Sequence, residues 1–193
     1  MRQAPLLAGL FLLVACARPS AEAVRAAVAA APTAGALLAV PFFPQEEFQC
    51  GPAAMASLLA YWGRPADPEA IAEAIYLPRL QGTLSLDLLL YAERRGLTAR
   101  LLDASPEALK AALRADRPVI ALLNVGSRLV PTWHYVVVVG YADGPDAFVA
   151  HDGRYRERVF PYEDFAWRWQ AAGRWGLLVE PRAGGSARSP GPS

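Results

Sequence analysis

The chain has 193 residues, and 19 Lys plus Arg stand against 18 Asp plus Glu, a formal net charge of +1. That length suits one domain with flanking segments, at roughly 100–200 residues per domain. The charge balance supplies no cationic stripe for a phosphate backbone, so nucleic acid is not an expected partner. Two cysteines, Cys16 and Cys50, permit at most one disulfide, which excludes a disulfide-stapled scaffold and leaves each thiol to be explained separately.

In chain order, Met1 and Arg2 precede an apolar run from Leu6 to Ala15 that ends in Leu13-Val14-Ala15-Cys16. The run is about half of the ~20 apolar residues a spanning helix needs and has the length of a signal-peptide core. Leu-Val-Ala-Cys resembles the lipobox of bacterial lipoproteins, where small residues admit the peptidase and the thiol accepts diacylglycerol. The resemblance implies a signal peptide over 1–15, lipidation of Cys16, and an exported bacterial lipoprotein held on the membrane facing the periplasm. Ala17, where inner-membrane sorting uses Asp, implies the outer membrane. An ordinary secretory signal with an incidental cysteine is the alternative. With Cys16 lipidated, Cys50 is a free thiol.

Residues 16–35 are Ala-rich with scattered Pro and Ser; the one plausible helix there, Ala21 to Ala31, lacks a bulky apolar face, so a tether is expected. Residues 182–193 hold Gly, Pro and Ser without one large apolar side chain and read as a disordered tail. Between them, 36–181 is the expected domain. Leu37 to Phe43 reads as a strand stopped by Pro44. Cys50 to Trp62 reads as a helix, with Pro52 in its first turn, Met55, Leu58, Leu59 and Trp62 at helical spacing, and Gly63 at its end. Further helices are expected at Asp67–Tyr76, Ser85–Arg95 and Ser105–Ala115. Strand-like runs follow at Val119–Asn124, His134–Tyr141, Asp146–His151 and Tyr155–Phe160, then a short helix over Tyr162–Gln170 and a strand over Trp175–Glu180. Helices first and antiparallel strands second point to an α+β domain with segregated layers.

Cys50 opens the best-defined helix, where the macrodipole and unpaired N–H groups favour a thiolate. A buried inert cysteine is the plain alternative, and the helix-start position argues against it. A nucleophilic thiol needs a base, and the chain has two histidines. His134 heads the run Trp133-His134-Tyr135-Val136-Val137-Val138-Val139-Gly140, apolar enough to be a central strand covered on both faces, which would hold the imidazole rigidly. His151 and Asp152 alternate, so only one can address the site. Asp152 is the expected orienter, its carboxylate accepting the His134 N–H and fixing the tautomer; a turn role in Asp152-Gly153 is the alternative. Gln45, five residues ahead of Cys50, is the candidate oxyanion donor beside the Cys50 backbone N–H, with Gln49 as competitor. Trp133, Tyr135, Trp167 and Trp169 are candidates for a substrate groove or for the core. Neither paired metal-ligand spacing nor a phosphate loop is visible, so no metal and no cofactor are expected.

Gln-Glu-Glu-Phe-Gln-Cys-Gly-Pro-Ala-Ala, then His-Tyr-Val-Val-Val-Val-Gly-Tyr from His134, then Asp152, resembles the bacteriocin-processing double-glycine peptidases, cysteine peptidase family thirty-nine. The resemblance spans Val40 to Pro181 and implies a papain-like fold, with the nucleophile helix packed on a C-terminal antiparallel sheet. It implies Cys50 as nucleophile, His134 as base, Asp152 as orienter and Gln45 as oxyanion donor. Gln45 stands one residue nearer the cysteine than in exporter-fused members, and Gly153 replaces a frequent Pro. The chain shows neither the transmembrane helices nor the ATPase of those members and is similar to a stand-alone exported branch, so double-glycine specificity is not inherited with the fold. The expected function is a lipid-anchored cysteine peptidase acting on a peptide or protein substrate. Alternatives are a non-catalytic peptide-binding lipoprotein on the same fold and a cell-wall peptide endopeptidase.

Overall fold

The computed structural model describes residues 19–182; the expected signal peptide, Cys16 and the tail beyond Arg182 lie outside the described residues. The tether reading is corrected where the description begins. Helix α1 (Ala21–Ala30) is capped by Ser20, whose Oγ accepts the Ala23 N–H at 3.1 Å. Its small residues let it lie close against the domain, with Val24 fully buried and Val28 packed beside it. Gly35 is part of that fit, because a Cβ there would meet a Val28 methyl at 2.9 Å.

Strand β1 is only Gly35–Leu37, shorter than the expected run to Phe43. The chain beyond it leaves the sheet, with Pro41 and Pro44 unable to donate to a ladder. Helices α2 (Cys50–Tyr61), α3 (Pro68–Ile75) and α4 (Ser85–Arg94) follow. Strand β2 (Leu97–Leu101), which is not among the elements expected from the sequence, comes next. Then come α5 (Pro106–Arg114), β3 (Val119–Asn124), β4 (Trp133–Ala142), β5 (Ala147–His151), β6 (Arg158–Pro161), α6 (Tyr162–Ala171) and β7 (Gly176–Pro181). The strand expected from Tyr155 begins only at Arg158, because the preceding residues fold around the Asp152 carboxylate.

Every strand pair is antiparallel, in the order β2-β7-β3-β4-β5-β6. β3 pairs with the first half of β4 as far as Val138, and β1 takes up its last residues, Gly140 to Ala142. β4 is therefore central, as its apolar sequence requires. Its side chains alternate between two cores: Tyr135, Val137 and Val139 face α2 and α4, whereas Val136 and Val138 face α5 and α6. A bulge between Val138 and Gly140 then shifts the phase by one residue, so that Tyr141 joins the second core near Phe148. Gly140 is obligatory there, since a Cβ would come within 2.6 Å of the Ala36 carbonyl oxygen.

Layer segregation is partial: α1 to α4 lie on one face, while α5 and α6 cover the other. α2 is buried on nearly every side, including Gly51 to Leu59, and makes no amphipathic surface helix. Among the described residues no helix is long and apolar enough to cross a membrane. The α1 contact is testable through Val24→Ala, which removes two buried methyl groups. It should cost about 2 kcal/mol and lower Tm by several degrees; a Tm equal to wild type would mean that α1 does not pack on the domain in solution.

Candidate active site

The sheet brings the head of β4 against the N-terminus of α2. Cys50 is the first helical residue, Gln49 caps it without any side-chain hydrogen bond, and Pro52 has no N–H to lose. Gly51 lets the helix start meet the α3–α4 segment, where a Cβ would stand 2.8 Å from Thr83 Cβ. Cys50 Sγ accepts the Tyr135 backbone N–H at 3.5 Å, and the His134 ring stands close enough to favour the thiolate. His134 Nε2–H donates to the main-chain carbonyl of Asp152 at 2.7 Å, which leaves Nδ1 for the thiol.

The electrostatics of the pair are consistent from both sides. Burial pushes the Cys50 thiol up, but the His134 hydrogen bond and charge outweigh it together with the backbone N–H groups of Tyr135 and Gly51, so the thiol lies below its ordinary value. Burial pushes His134 down, and the pairing with Cys50, the Asp152 carbonyl and the Asp152 charge together carry it above its ordinary value. Both shifts favour thiolate beside imidazolium, the reactive form of a cysteine nucleophile.

Asp152 is next to His134, but through a different atom from the one expected. Its carboxylate is turned into its own loop: Oδ1 accepts the N–H groups of Arg154 (3.0 Å) and Tyr155 (2.7 Å), and Oδ2 accepts from Arg158 Nη1 at 2.8 Å. The expectation that the carboxylate holds the imidazole is therefore corrected; a peptide carbonyl does. The turn reading and the orienting reading turn out to belong to the same residue, because an Asx-type turn aims the carbonyl.

Gln45 and Gly153 interlock. Gln45 N–H donates to the Gly153 carbonyl at 3.0 Å, and its Oε1 is buried without a hydrogen-bond partner. Gly153 has φ +78, and a Cβ there would run into the Gln45 side chain. Gly153 therefore makes room for the Gln45 side chain. Gln45, Cys50, His134 and Asp152 all line one groove of about 780 Å³; Gln49 does not.

His151 points away from the groove. Its Nε2–H donates to the Val40 carbonyl at 2.9 Å and its Nδ1 accepts the Glu157 N–H at 3.1 Å, so both nitrogens are occupied in the neutral ring. Among the aromatic candidates, Trp133 (51% exposed) and Tyr135 line the groove, while Trp169 is buried in the second core and Trp167 lies beneath Arg128 and Arg168. Among the described residues no group of three His, Cys, Asp or Glu could hold a metal ion.

Two hydrogen-bonding anchors shape the site beyond the roles expected from the sequence. Tyr135 Oη donates to the Thr83 carbonyl at 3.2 Å and accepts from Ser85 Oγ at 2.9 Å, tying the α3–α4 segment to β4 as one wall of the groove. Asn124, buried at the end of β3, accepts the Gly126 and Thr132 N–H groups and donates to the Ser127 carbonyl, which shapes the loop delivering Trp133. Asn before Val-Gly-Ser at a strand end was the available signal, since Asn side chains commonly substitute for backbone in turns.

A cysteine at the head of a buried helix, paired with a histidine at the head of a central antiparallel strand, defines the papain-like class of fold. The chain belongs to the peptidase C39-like family, whose model matches residues 37–177. Among solved structures it resembles a double-glycine motif protease from an AMS/PCAT transporter in complex with its leader peptide. The identity is 23%, over 76% of this chain and 94% of that one, with a TM-score of 0.60. It also resembles the peptidase domain of Streptococcus ComA (23% identity, 73% and 98% coverage, TM-score 0.57). A protein described as a C39-like peptidase from Bacillus anthracis aligns at 18% identity, 77% and 98% coverage and a TM-score of 0.62. These likenesses establish the fold. No curated protein matches the sequence significantly.

Burial holds His151 below its ordinary value. The unfolded chain therefore binds a proton that the folded chain refuses, and stability present above about pH 6.5 is lost on acidification. In His151→Gln the fall of Tm between about pH 7 and pH 5 should be shallower than in wild type; equal slopes would mean that His151 is not held neutral.

Proposed function

We propose that the protein is a lipid-anchored cysteine peptidase. The observation that carries the reading is the Cys50–His134 pair at the floor of an open groove, with both shifts favouring the ion pair. Cys50 thiolate attacks a peptide carbonyl, and the oxygen takes the negative charge beside the Cys50 backbone N–H and the Gln45 side-chain amide. His134 imidazolium protonates the departing amine as the C–N bond breaks. The neutral imidazole then takes a proton from water, which attacks the thioester, releases the acid product and regenerates Cys50. Asp152 keeps His134 oriented throughout by accepting its Nε2–H.

A peptide substrate is supported by the relative solved with a leader peptide bound. The groove here is flanked by exposed apolar side chains, Phe48, Leu80, Leu84 and Trp133, suited to an extended peptide with apolar residues. The anchor rests on the Leu13-Val14-Ala15-Cys16 run.

A peptidyl thiol-directed electrophile should label wild type at Cys50 and fail with Cys50→Ala, while labelling of His134→Ala should fall by at least about a hundredfold near neutral pH. Reaction of wild-type Cys50 no faster than free cysteine would remove the catalytic reading and leave a peptide-binding protein. Release of peptides from purified peptidoglycan, with none from protein substrates, would favour the cell-wall endopeptidase instead. In the exporting host, a metabolically incorporated palmitate analogue should label wild type and not Cys16→Ala; equal labelling of that variant would refute the anchor.

A further inference from the structure

The Asp152 carboxylate is almost wholly buried, and its acceptor positions are spent on two backbone N–H groups and on Arg158. Arg158 reaches it from the next strand, β6, where it pairs in register with Ala150 of β5, two residues before Asp152. Its guanidinium also lies 4.8 Å from the centroid of the buried Phe160 ring, which limits where it can go. Asp152 N–H donates to the Tyr155 carbonyl at 3.2 Å, so residues 152–155 form one closed turn. The only group this turn presents to the imidazole is the Asp152 carbonyl.

We propose that Arg158 is a positioning residue of the peptidase site: by clamping the Asp152 carboxylate it holds the turn that aims the Asp152 main-chain carbonyl at His134 Nε2. The proposal rests on the peptidase reading and assigns the orienting of His134 to the Asp152 main-chain carbonyl, with the carboxylate's charge a smaller through-space contribution. The carboxylate is ion-paired with Arg158, and orientation is delivered by a peptide dipole. Glu157 does not substitute for it, because its carboxylate is engaged by Arg25 and Arg156.

The geometry makes a specific demand on variants. Asp152→Asn keeps an oxygen to accept the Arg154 and Tyr155 N–H groups but presents an NH2 to Arg158, so it breaks the same clamp that Arg158→Ala breaks while also removing the carboxylate charge that Arg158→Ala leaves in place. With that charge the smaller contribution, the two variants and their double mutant should behave nearly alike. Because Arg158 uses one bond rather than a bidentate fork, Arg158→Lys should restore the function.

The test is the second-order rate of alkylation of Cys50 by iodoacetamide as a function of pH, with the labelled residue located by mass spectrometry and folding checked by circular dichroism and Tm. This readout needs no identified substrate. At about pH 6, where the thiolate exists only through its pairing with His134, each of Asp152→Asn, Arg158→Ala and the double mutant should be slower than wild type by about tenfold. Towards about pH 9 the thiol depends less on His134 for its ionisation, so the differences between rates should narrow. Arg158→Lys should follow wild type. Asp152→Asn far slower than Arg158→Ala would overturn the proposal by showing that the carboxylate charge, rather than the clamped turn, is the larger influence on His134. Unchanged rates in both single variants would also overturn it. If Arg158→Ala does not fold, Asp152→Asn with Arg158→Lys decides the same point. Wild-type Cys50 no more reactive than free cysteine at about pH 6 would overturn this proposal and the peptidase reading together; the preceding outcomes would leave the latter standing.

Discussion

The fold depends on the burial of α2 across β4. A helix with apolar side chains on all sides cannot rest at a surface, so it must be enclosed, and the face of β4 carrying Tyr135, Val137 and Val139 supplies one wall while α3 and α4 supply the others. That packing brings the N-terminus of the helix to the head of the strand. Cys50 then meets His134 and the Tyr135 N–H as a consequence of how the core fills, and the two residues that would do the chemistry are held by rigid elements. The cost of burying two ionisable groups is offset because each compensates the other.

The rest of the groove is made of loops held by side-chain to backbone hydrogen bonds. Asn124 shapes the β3–β4 connection, Tyr135 ties down the α3–α4 segment, and Asp152 closes the turn after β5. Each is a buried or half-buried polar group with its partners satisfied, so each fixes one conformation where an apolar residue would allow several. The turn after β5 is also bound to the N-terminal helix through Arg25 and Glu157. Residues that look like a leader to the domain are thereby in contact with the loop that orients His134.

Much of this was legible in the chain itself. The heads of α2 and β4 could be located because Cys-Gly-Pro opens a helical spacing and because the Val-rich run is too apolar for an edge strand. Cys50, His134, Gln45 and Asp152 do converge on one groove. β2 escaped because five residues with two inward side chains carry almost no periodic signal, and its strand character comes from pairing with β7. The helix over Ala21–Ala30 was foreseen but its packing on the domain was not, because Ala-rich sequence looks the same whether it is a solvated spacer or a helix that packs closely by virtue of its small side chains. Its one informative residue, Val24, declares itself only by being buried.

The sequence alone determined the α+β class, the family resemblance and the residue types at the site, because hydrophobic period, turn residues and a Cys-His-Asp order are local or linear properties. Which atom of Asp152 faces His134 was decided only by the tertiary structure. A carboxylate and a carbonyl on the same residue are equivalent candidates in one dimension; Arg158, arriving from a neighbouring strand, takes the first and leaves the second. The phase shift of β4 at Gly140 is of the same kind. It falls where the backbone of β1 comes up against Gly140, and no pattern in the valine run records it.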